Sequence, residues 1–304
     1  MKVFITGGTG FVGSSLTRAL AGRGHQVTVL DRTIKGGGDF PPGVSFIETD
    51  STAPGPWQDE AAQHDVIINL AGASIFSRWN DKTKDAIYRS RIETTKNIVE
   101  AVSRSRSAVA MRLFSTSAVG YYGFHEDEDI TEEAPPGGDF LASLAKDWEA
   151  AAGRAAKYGA GVVLCRFGIV LGRRGGALQQ MLPIYRAWLG APLGSGRQWF
   201  PWVHEQDLVD IFLFLMDRPD AAGPFNCSAP HPVRNSEMTR AIGRALGVPT
   251  LPIGVPGFVL KIVLGEFGSV LLKGQKVLPK RLGEVGYRFR FPTIDEALAD
   301  LVKK

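Results

Sequence analysis

Lys2-Val3-Phe4-Ile5-Thr6 runs into Gly7-Gly8-Thr9-Gly10-Phe11-Val12-Gly13: an apolar strand that ends in glycines spaced G-x-x-G-x-x-G. Ser14 to Ala21 then follow a helical pattern. In that order of elements each glycine has its own task. Gly7 lets the chain turn sharply off the strand, and Gly10 puts no side chain between the backbone and a pyrophosphate. Gly13 lets the helix pack closely on the sheet, with its N-terminal N–H groups and positive dipole end toward phosphates. A nucleoside-triphosphate P-loop is excluded, because the spacing differs and no Gly-Lys-Ser/Thr follows. A second strand, Gln26–Leu30, ends in Asp31, eighteen residues past Gly13, where the ribose-binding acid of a βαβ unit belongs. A glycine-rich turn that binds nothing is the bland alternative. Strand, helix, second strand and acid in one register favour dinucleotide binding.

The 304 residues, 44% of them hydrophobic, suffice for a large core in one or two domains. Lys and Arg number 35 against 31 Asp and Glu, a formal charge of +4, with the two signs interspersed. Basic runs such as Arg104-Ser105-Arg106 and Arg173-Arg174 are short, which argues against a nucleic-acid partner. Cys165 and Cys227 lie in apolar strand-like segments and read as buried thiols of a reducing compartment, not as a disulfide or metal pair. The N-terminus is a strand rather than a cleavable leader. The most apolar later stretch, Val255–Leu272, is interrupted by Pro256, Gly257, Lys261, Gly265, Glu266 and Gly268 and makes a poor membrane span. A cytoplasmic protein without a membrane segment is expected.

Asp31 and Arg32 are followed by a glycine- and proline-rich loop, Lys35–Gly43, and a third strand, Val44–Ile47. A short helix, Gln58–Gln63, leads to the continuous apolar run Val66–Leu70, which has the character of a buried parallel strand. A helix is expected over Asp81–Ser103, with Asp81 as N-cap, and a strand over Met111–Phe114, ending in Ser115-Thr116-Ser117. The acidic loop around His125-Glu126-Asp127-Glu128-Asp129 has one histidine and no ligand spacing, so it reads as solvated and no metal is expected. A helix over Phe140–Tyr158 and a strand over Val162–Val170 complete the alternation. The fold class is therefore α/β: a Rossmann-type doubly wound parallel sheet with right-handed crossovers, over residues 1–170. Residues 171–304 form a smaller C-terminal substrate lobe, with parts of 200–230 returning to the core; its helices are Gly176–Leu189, Glu205–Met216, Ser236–Leu246 and Thr293–Val302.

Thr6–Gly13, Asn69-Leu70-Ala71-Gly72, Ser115-Thr116-Ser117, Arg166-Phe167-Gly168 and Pro201 to Asp207 together resemble the extended and atypical short-chain dehydrogenase/reductases. Arg78-Trp79, Ser90-Arg91, Gly120-Tyr121-Tyr122-Gly123, Trp148-Glu149 and Gly196 to Trp202 narrow this to an NAD(P)-dependent, nucleotide-sugar epimerase-like subgroup. A tail at 250–302, with Leu272 to Leu282 and Gly286-Tyr287-Arg288-Phe289, also fits. The resemblance covers essentially the whole chain. It implies a nicotinamide cofactor held at Gly7, Thr9, Gly10, Phe11, Val12, Gly13, Asp31, Arg32, Asp50, Leu70, Ala71, Gly72, Ser115 and Arg166. It also implies a small-molecule substrate, with contacts at Arg78, Trp79, Arg197, Trp202 and His204, and leaves that substrate unnamed. Relatives pair through long helices flanking the sheet, so a homodimer face is expected on 81–103 and 140–158. Cofactor choice is a contest between neighbours. Asp31 would accept from free ribose hydroxyls and repel a 2′-phosphate, favouring NAD; Arg32, and the family habit of Ser or Thr before it, favour NADP.

Short-chain dehydrogenases move a hydroxyl proton with Tyr-x-x-x-Lys, helped by a serine. Ser117 matches the serine, but with Glu149 as the reference point the pair falls on Leu141 and Ala145. Lys146 is one residue late, about 100° around the helix. Tyr121 and Tyr122 are the replacement acids, against the alternative that their rings only pack the loop. His204 is either a proton shuttle or a helix cap, and Arg78, Arg89, Arg91 and Arg197 jointly fit an anionic substrate group. Two functions follow: an oxidoreductase or epimerase acting on a sugar-like or other carbonyl/hydroxyl compound, or a catalytically silent NAD(P)-binding sensor or scaffold.

Overall fold

Residues 1–34, 40–105 and 111–303 are described by the computed structural model. Part of the loop expected at 35–43, and Arg106 of the basic run, lie outside them. The chain begins β1 (Lys2–Thr6), α1 (Phe11–Gly22), β2 (Gln26–Asp31), β3 (Val44–Glu48), α2 (Trp57–Ala61), β4 (Val66–Asn69), α3 (Asp81–Ser103) and β5 (Arg112–Ala118). A two-residue strand β6 (Asp129–Ile130) interrupts the acidic loop before α4 (Phe140–Gly153) and β7 (Gly161–Phe167). The second half contributes β8 (Ile169–Leu171), α5 (Gly176–Arg186), β9 (Trp199–Phe200), β10 (Trp202–His204), α6 (Glu205–Met216) and β11 (Gly223–Cys227). It closes with β12 (Val233–Arg234), α7 (Asn235–Leu246), α8 (Gly257–Leu264), α9 (Glu266–Val270), β13 (Lys276–Val277), α10 (Lys280–Glu284) and α11 (Ile294–Leu301).

Seven strands pair in the order β11-β7-β5-β4-β1-β2-β3, every pair parallel. Alternate side chains of each strand go to opposite faces, so both faces must be covered. Val3, Ile5, Val29 and Ile68 meet Leu16 and Leu20 of α1 and Leu208 and Phe212 of α6 on one face. Phe4, Leu30, Ile67 and Leu113 meet Trp57 of α2, Ile98 and Val102 of α3 and Ala152 of α4 on the other. Each fully buried Leu, Ile or Phe is worth about 1.5–3 kcal/mol relative to exposure. The chain winds outward through β2 and β3, then returns to place β4 on the far side of β1. That reversal makes the C-terminal ends of β1 and β4 the crevice where ligands of open α/β sheets bind.

Several boundaries differ from the sequence expectation for local reasons. Asn80, not Asp81, caps α3, its side chain accepting from Thr83 N–H at 2.9 Å. The strand expected over 162–170 breaks at Gly168, where a Cβ would meet the Pro201 carbonyl at 3.0 Å; β8 then pairs with β10 outside the main sheet. The helix over 140–158 tightens to 3₁₀ geometry after Gly153. The helix expected to reach Leu189 stops at Arg186, three residues past Pro183, and Trp188 has φ +64°.

The tail is fastened by buried polar bonds. Asp207 of α6, 1% exposed, accepts from the backbone N–H groups of Arg290 (2.7 Å) and Phe291 (3.0 Å) and from the Tyr287 hydroxyl. Arg281 donates to the carbonyls of Ala222 and Pro224, so α10 covers the edge strand β11. Cys165 and Cys227 are free thiols, both fully buried. No helix among the described residues is long and apolar enough to cross a membrane.

Candidate functional site

The reversal point is built from missing side chains. Gly7 turns with φ +73°, and a Cβ there would lie 3.0 Å from Ala71 N and 3.0 Å from the Leu70 carbonyl carbon. At Gly13 a Cβ would be 2.1 Å from the Gly7 carbonyl oxygen, closer than any atoms tolerate. The N-terminus of α1 is thus pressed against the β1 bend, and the first helical N–H groups have no acceptor within their own helix. Gly10 is exposed at the mouth of this bend. Bare backbone, helix dipole and N–H donors together fit a dinucleotide's diphosphate. Phe11 closes the back of the bend, its ring lying against the backbone of Gly172, Gly175 and Gly176.

Asp31 sits at the end of β2, but its carboxylate turns toward the glycine loop. Oδ2 accepts from the Thr9 N–H (3.2 Å) and hydroxyl (2.5 Å), and Oδ1 from the Arg32 N–H (3.0 Å). Arg32 is exposed beside it. Asp50 is exposed and accepts from the N–H and hydroxyl of Thr52. Leu70, Ala71 and Gly72 form the facing wall, half-buried to exposed, as the chain leaves β4.

At the ends of β5 and β7 the side chains are tied to one another. Ser117 is 1% exposed and donates its hydroxyl to Glu149 Oε1 at 2.6 Å. Glu149 is gripped by Arg166, whose Nε donates to Oε1 and whose second terminal nitrogen donates to Oε2, each at 2.8 Å. Arg166 also donates to the Tyr122 hydroxyl (2.8 Å), which donates in turn to Asn226 Oδ1 (2.5 Å). Burial opposes the charge on Arg166, yet the Glu149 pairing holds its pKa above the ordinary guanidinium value. Burial pushes the Tyr122 hydroxyl up to about 12, the Arg166 charge only partly opposing it.

Tyr122 is therefore corrected from a replacement acid to a core residue, 1% exposed with both hydroxyl bonds spent inside the protein. Arg166, read as a cofactor contact, is 3% exposed with its guanidinium held by Glu149, the Tyr122 hydroxyl and the Glu132 carbonyl. Tyr121 is half-buried, with its ring face 3.7 Å from the Arg166 guanidinium carbon, and no other described residue holds its hydroxyl. The Ser115 and Thr116 hydroxyls have no partner among the described residues. Leu141 and Ala145 stand at the Tyr and Lys positions, and Lys146 is exposed.

Three of the expected substrate contacts are corrected too. Trp202 is fully buried and donates to the His231 carbonyl. Trp79 is a core residue against Phe140 and Phe267. His204 caps α6, its Nδ1 accepting from Gln206 N–H at 3.0 Å, with its ring stacked on Phe291. Nε2 lies 3.4 Å from Asp300 without the alignment of a hydrogen bond, and burial, only partly opposed by Asp300, lowers the imidazole pKa to about 4. Arg78 and Arg197 are exposed on separate loops, and Arg89 is exposed on α3 opposite Asp85. The solvent side of α3, expected to carry a pairing face, is charged at Asp85, Arg89, Glu93, Lys96 and Glu100. Tyr158 is exposed at the end of the second expected pairing helix, and further large exposed apolar side chains include Trp188, Leu189, Ile253, Phe258, Ile262 and Val263.

Sequence reasoning used Glu149 as a mark of the resemblance and as a reference point, and missed its partners. A signal was present: Glu149 falls on the apolar stripe Ala142, Ala145 and Ala152, where a carboxylate is buried only if paired. Arg166 on the buried strand β7 carried the matching signal.

The chain matches a family described as NAD dependent epimerase/dehydratase over residues 3–228, and a domain of unknown function (DUF1731) over residues 255–301. It is 38% identical to the "epimerase family protein SDR39U1 homolog, chloroplastic" of Arabidopsis thaliana, over 100% of this chain and 87% of that protein. The crystal structure of human epimerase family protein SDR39U1 (isoform 2) with NADPH superposes with a TM-score of 0.86 at 34% identity, covering 99% of both chains. A nucleoside-diphosphate sugar epimerase from Corynebacterium glutamicum gives 0.79 at 33% identity, covering 99% of this chain and 58% of that one.

Proposed function

The chain belongs to the NAD dependent epimerase/dehydratase family, and from that premise we propose that it is an NADP(H)-preferring oxidoreductase or epimerase acting on a carbonyl or hydroxyl group of a small, sugar-like molecule. The observation that carries this reading is the bend at Gly7, packed on Ala71 and backed by the α1 N-terminus, where bare backbone stands and no side chain fits. The NADP preference is supported by Asp31, whose oxygens are engaged by Thr9 and the Arg32 N–H, while the Arg32 side chain stays exposed. The relative solved with NADPH supports the same preference. A bound nicotinamide ring supplies hydride transfer.

Tyr121 is the proton donor in this proposal, since its hydroxyl is uncommitted among the described residues and its ring rests on the Arg166 guanidinium. Ser117 positions that cation, through Glu149, instead of touching substrate. The two buried thiols suit a reducing, cytoplasm-like compartment. NADPH absorbance followed across a panel of aldehydes, ketones and nucleotide sugars tests the reading. Turnover of one class, lowered at least about tenfold in Tyr121→Phe, is expected; equal turnover in that variant removes Tyr121. A second reading, a silent dinucleotide-binding sensor, is favoured by Leu141 and Ala145 at the Tyr and Lys positions and by the inward turn of Ser117. It predicts tight NADPH binding with no turnover anywhere in the panel.

A further inference from the structure

Three arginines packed into the body of this protein, Arg166 buried and Arg112 and Arg91 half-buried, come with partners, and one of them lacks the expected kind. Arg166 has Glu149. Arg112 has the carbonyls of Leu215 and Met216 at the negative C-terminal end of α6, and that of Ala221. Arg91 on α3 donates to the Ile87 carbonyl (3.0 Å) and the Ala73 carbonyl (3.1 Å), and its guanidinium carbon lies 5.2 Å over the Trp148 ring. No acidic side chain among the described residues pairs with it. Burial lowers its pKa to about 10, so it remains charged at neutral pH. A partly desolvated cation without a counter-charge is costly unless an anion arrives with a ligand.

The position of Arg91 says which anion. A Cβ on Gly72 would stand 3.0 Å from its guanidinium carbon, so the charge comes up directly beneath the exposed wall of the bend. Ala71, the next residue back, is the one against which Gly7 turns. Ser90 accepts from the Ala73 N–H at 3.0 Å while Arg91 holds the Ala73 carbonyl, so two neighbours on α3 grip the wall. The helix is fixed in turn. The Thr95 hydroxyl donates to the Arg91 carbonyl and accepts from Asn69 and Trp148, and Asn69 accepts from Thr6 at the end of β1.

Resting on the dinucleotide reading, we propose that Arg91 is a cofactor-binding residue whose counter-ion is the diphosphate bridge of the nicotinamide dinucleotide, not an anionic group of the substrate. The tests are titrations of the full chain with NADPH and with ADP-ribose, which keeps the diphosphate and lacks the nicotinamide. Arg91→Gln, which retains donors for the Ala73 carbonyl, weakens both ligands by the same factor, at least about tenfold. It also flattens the dependence of affinity on salt, and Arg91→Lys recovers part of the loss. In wild-type protein, phenylglyoxal labelling mapped to Arg91 by mass spectrometry is blocked by ADP-ribose and not by adenosine, a readout that survives if the glutamine variant fails to fold. Wild-type affinity in a folded Arg91→Gln, or labelling indifferent to ADP-ribose, overturns the assignment. A wild-type chain that binds no dinucleotide sinks the underlying reading instead.

Discussion

The glycine bend after β1 and the charged cluster at the ends of β5 and β7 lie along the same edge of one sheet and are built on opposite principles. Gly7 and Gly13 matter for what they lack: backbone atoms occupy the places where their side chains would be. Ser117, Glu149, Arg166 and Tyr122 matter for what they hold, and they hold one another. The bend is open to a ligand and intolerant of any added atom. The cluster is buried and intolerant of any removed charge. The half-buried Tyr121 rests its ring on the Arg166 guanidinium of that cluster.

The largest effect separates the two directly. Gly13→Val forces the Gly7 backbone to move, and we expect loss of NADPH binding by more than about a hundredfold together with about 3 kcal/mol of stability; calorimetry and urea unfolding read the two. Close in size is Arg166→Met. It strands a buried carboxylate and lowers stability by about 3–5 kcal/mol, while the NADPH affinity of the protein that remains folded is unchanged, because the cluster does not touch the bend. A double change, Glu149→Met with Arg166→Met, recovers much of that loss. If it recovers nothing, the pair is not the unit described.

His204 brings the C-terminal lobe into the comparison. Its folded pKa of about 4 lies below the ordinary 6.5, so the unfolded chain takes up the proton first. Its stabilising contribution is full above pH 6.5, falls as pH drops from there to about 4, and amounts to at most about 3 kcal/mol. His204→Asn, which keeps a cap for α6, flattens melting temperature over that window, and an unflattened profile removes His204 from the account. The smallest effect is the sharpest. Tyr122→Phe costs about 1–2 kcal/mol for the lost hydroxyl bonds, whereas Tyr121→Phe shifts stability by no more than about 0.5 kcal/mol. Urea titrations of the pair distinguish a core hydroxyl from an uncommitted one.

Legibility in the sequence follows the same division. The bend was readable because a strand, glycines at fixed spacing and a helix state a backbone requirement, and the parallel sheet followed from alternating buried runs such as Val66–Asn69. The cluster was not, because Ser117 and Glu149 are thirty-two residues apart and nothing in either names the other. Asp31 illustrates the limit most plainly: its position after β2 was legible, but its choice of Thr9 over open solvent is a rotamer decision made only in three dimensions. Trp202 went astray for a related reason, whereas the helix-cap reading of His204 is what the structure shows. An aromatic run resembles a ligand wall, yet here it fills the core between α5, α7 and α11.

Titration of the purified chain with NADPH, followed by calorimetry, tests the central claim most directly. Saturable, stoichiometric uptake that disappears in Gly13→Val is the predicted result. No heat and no fluorescence change with NADPH or NADH, from a wild-type chain shown to be folded, would contradict it.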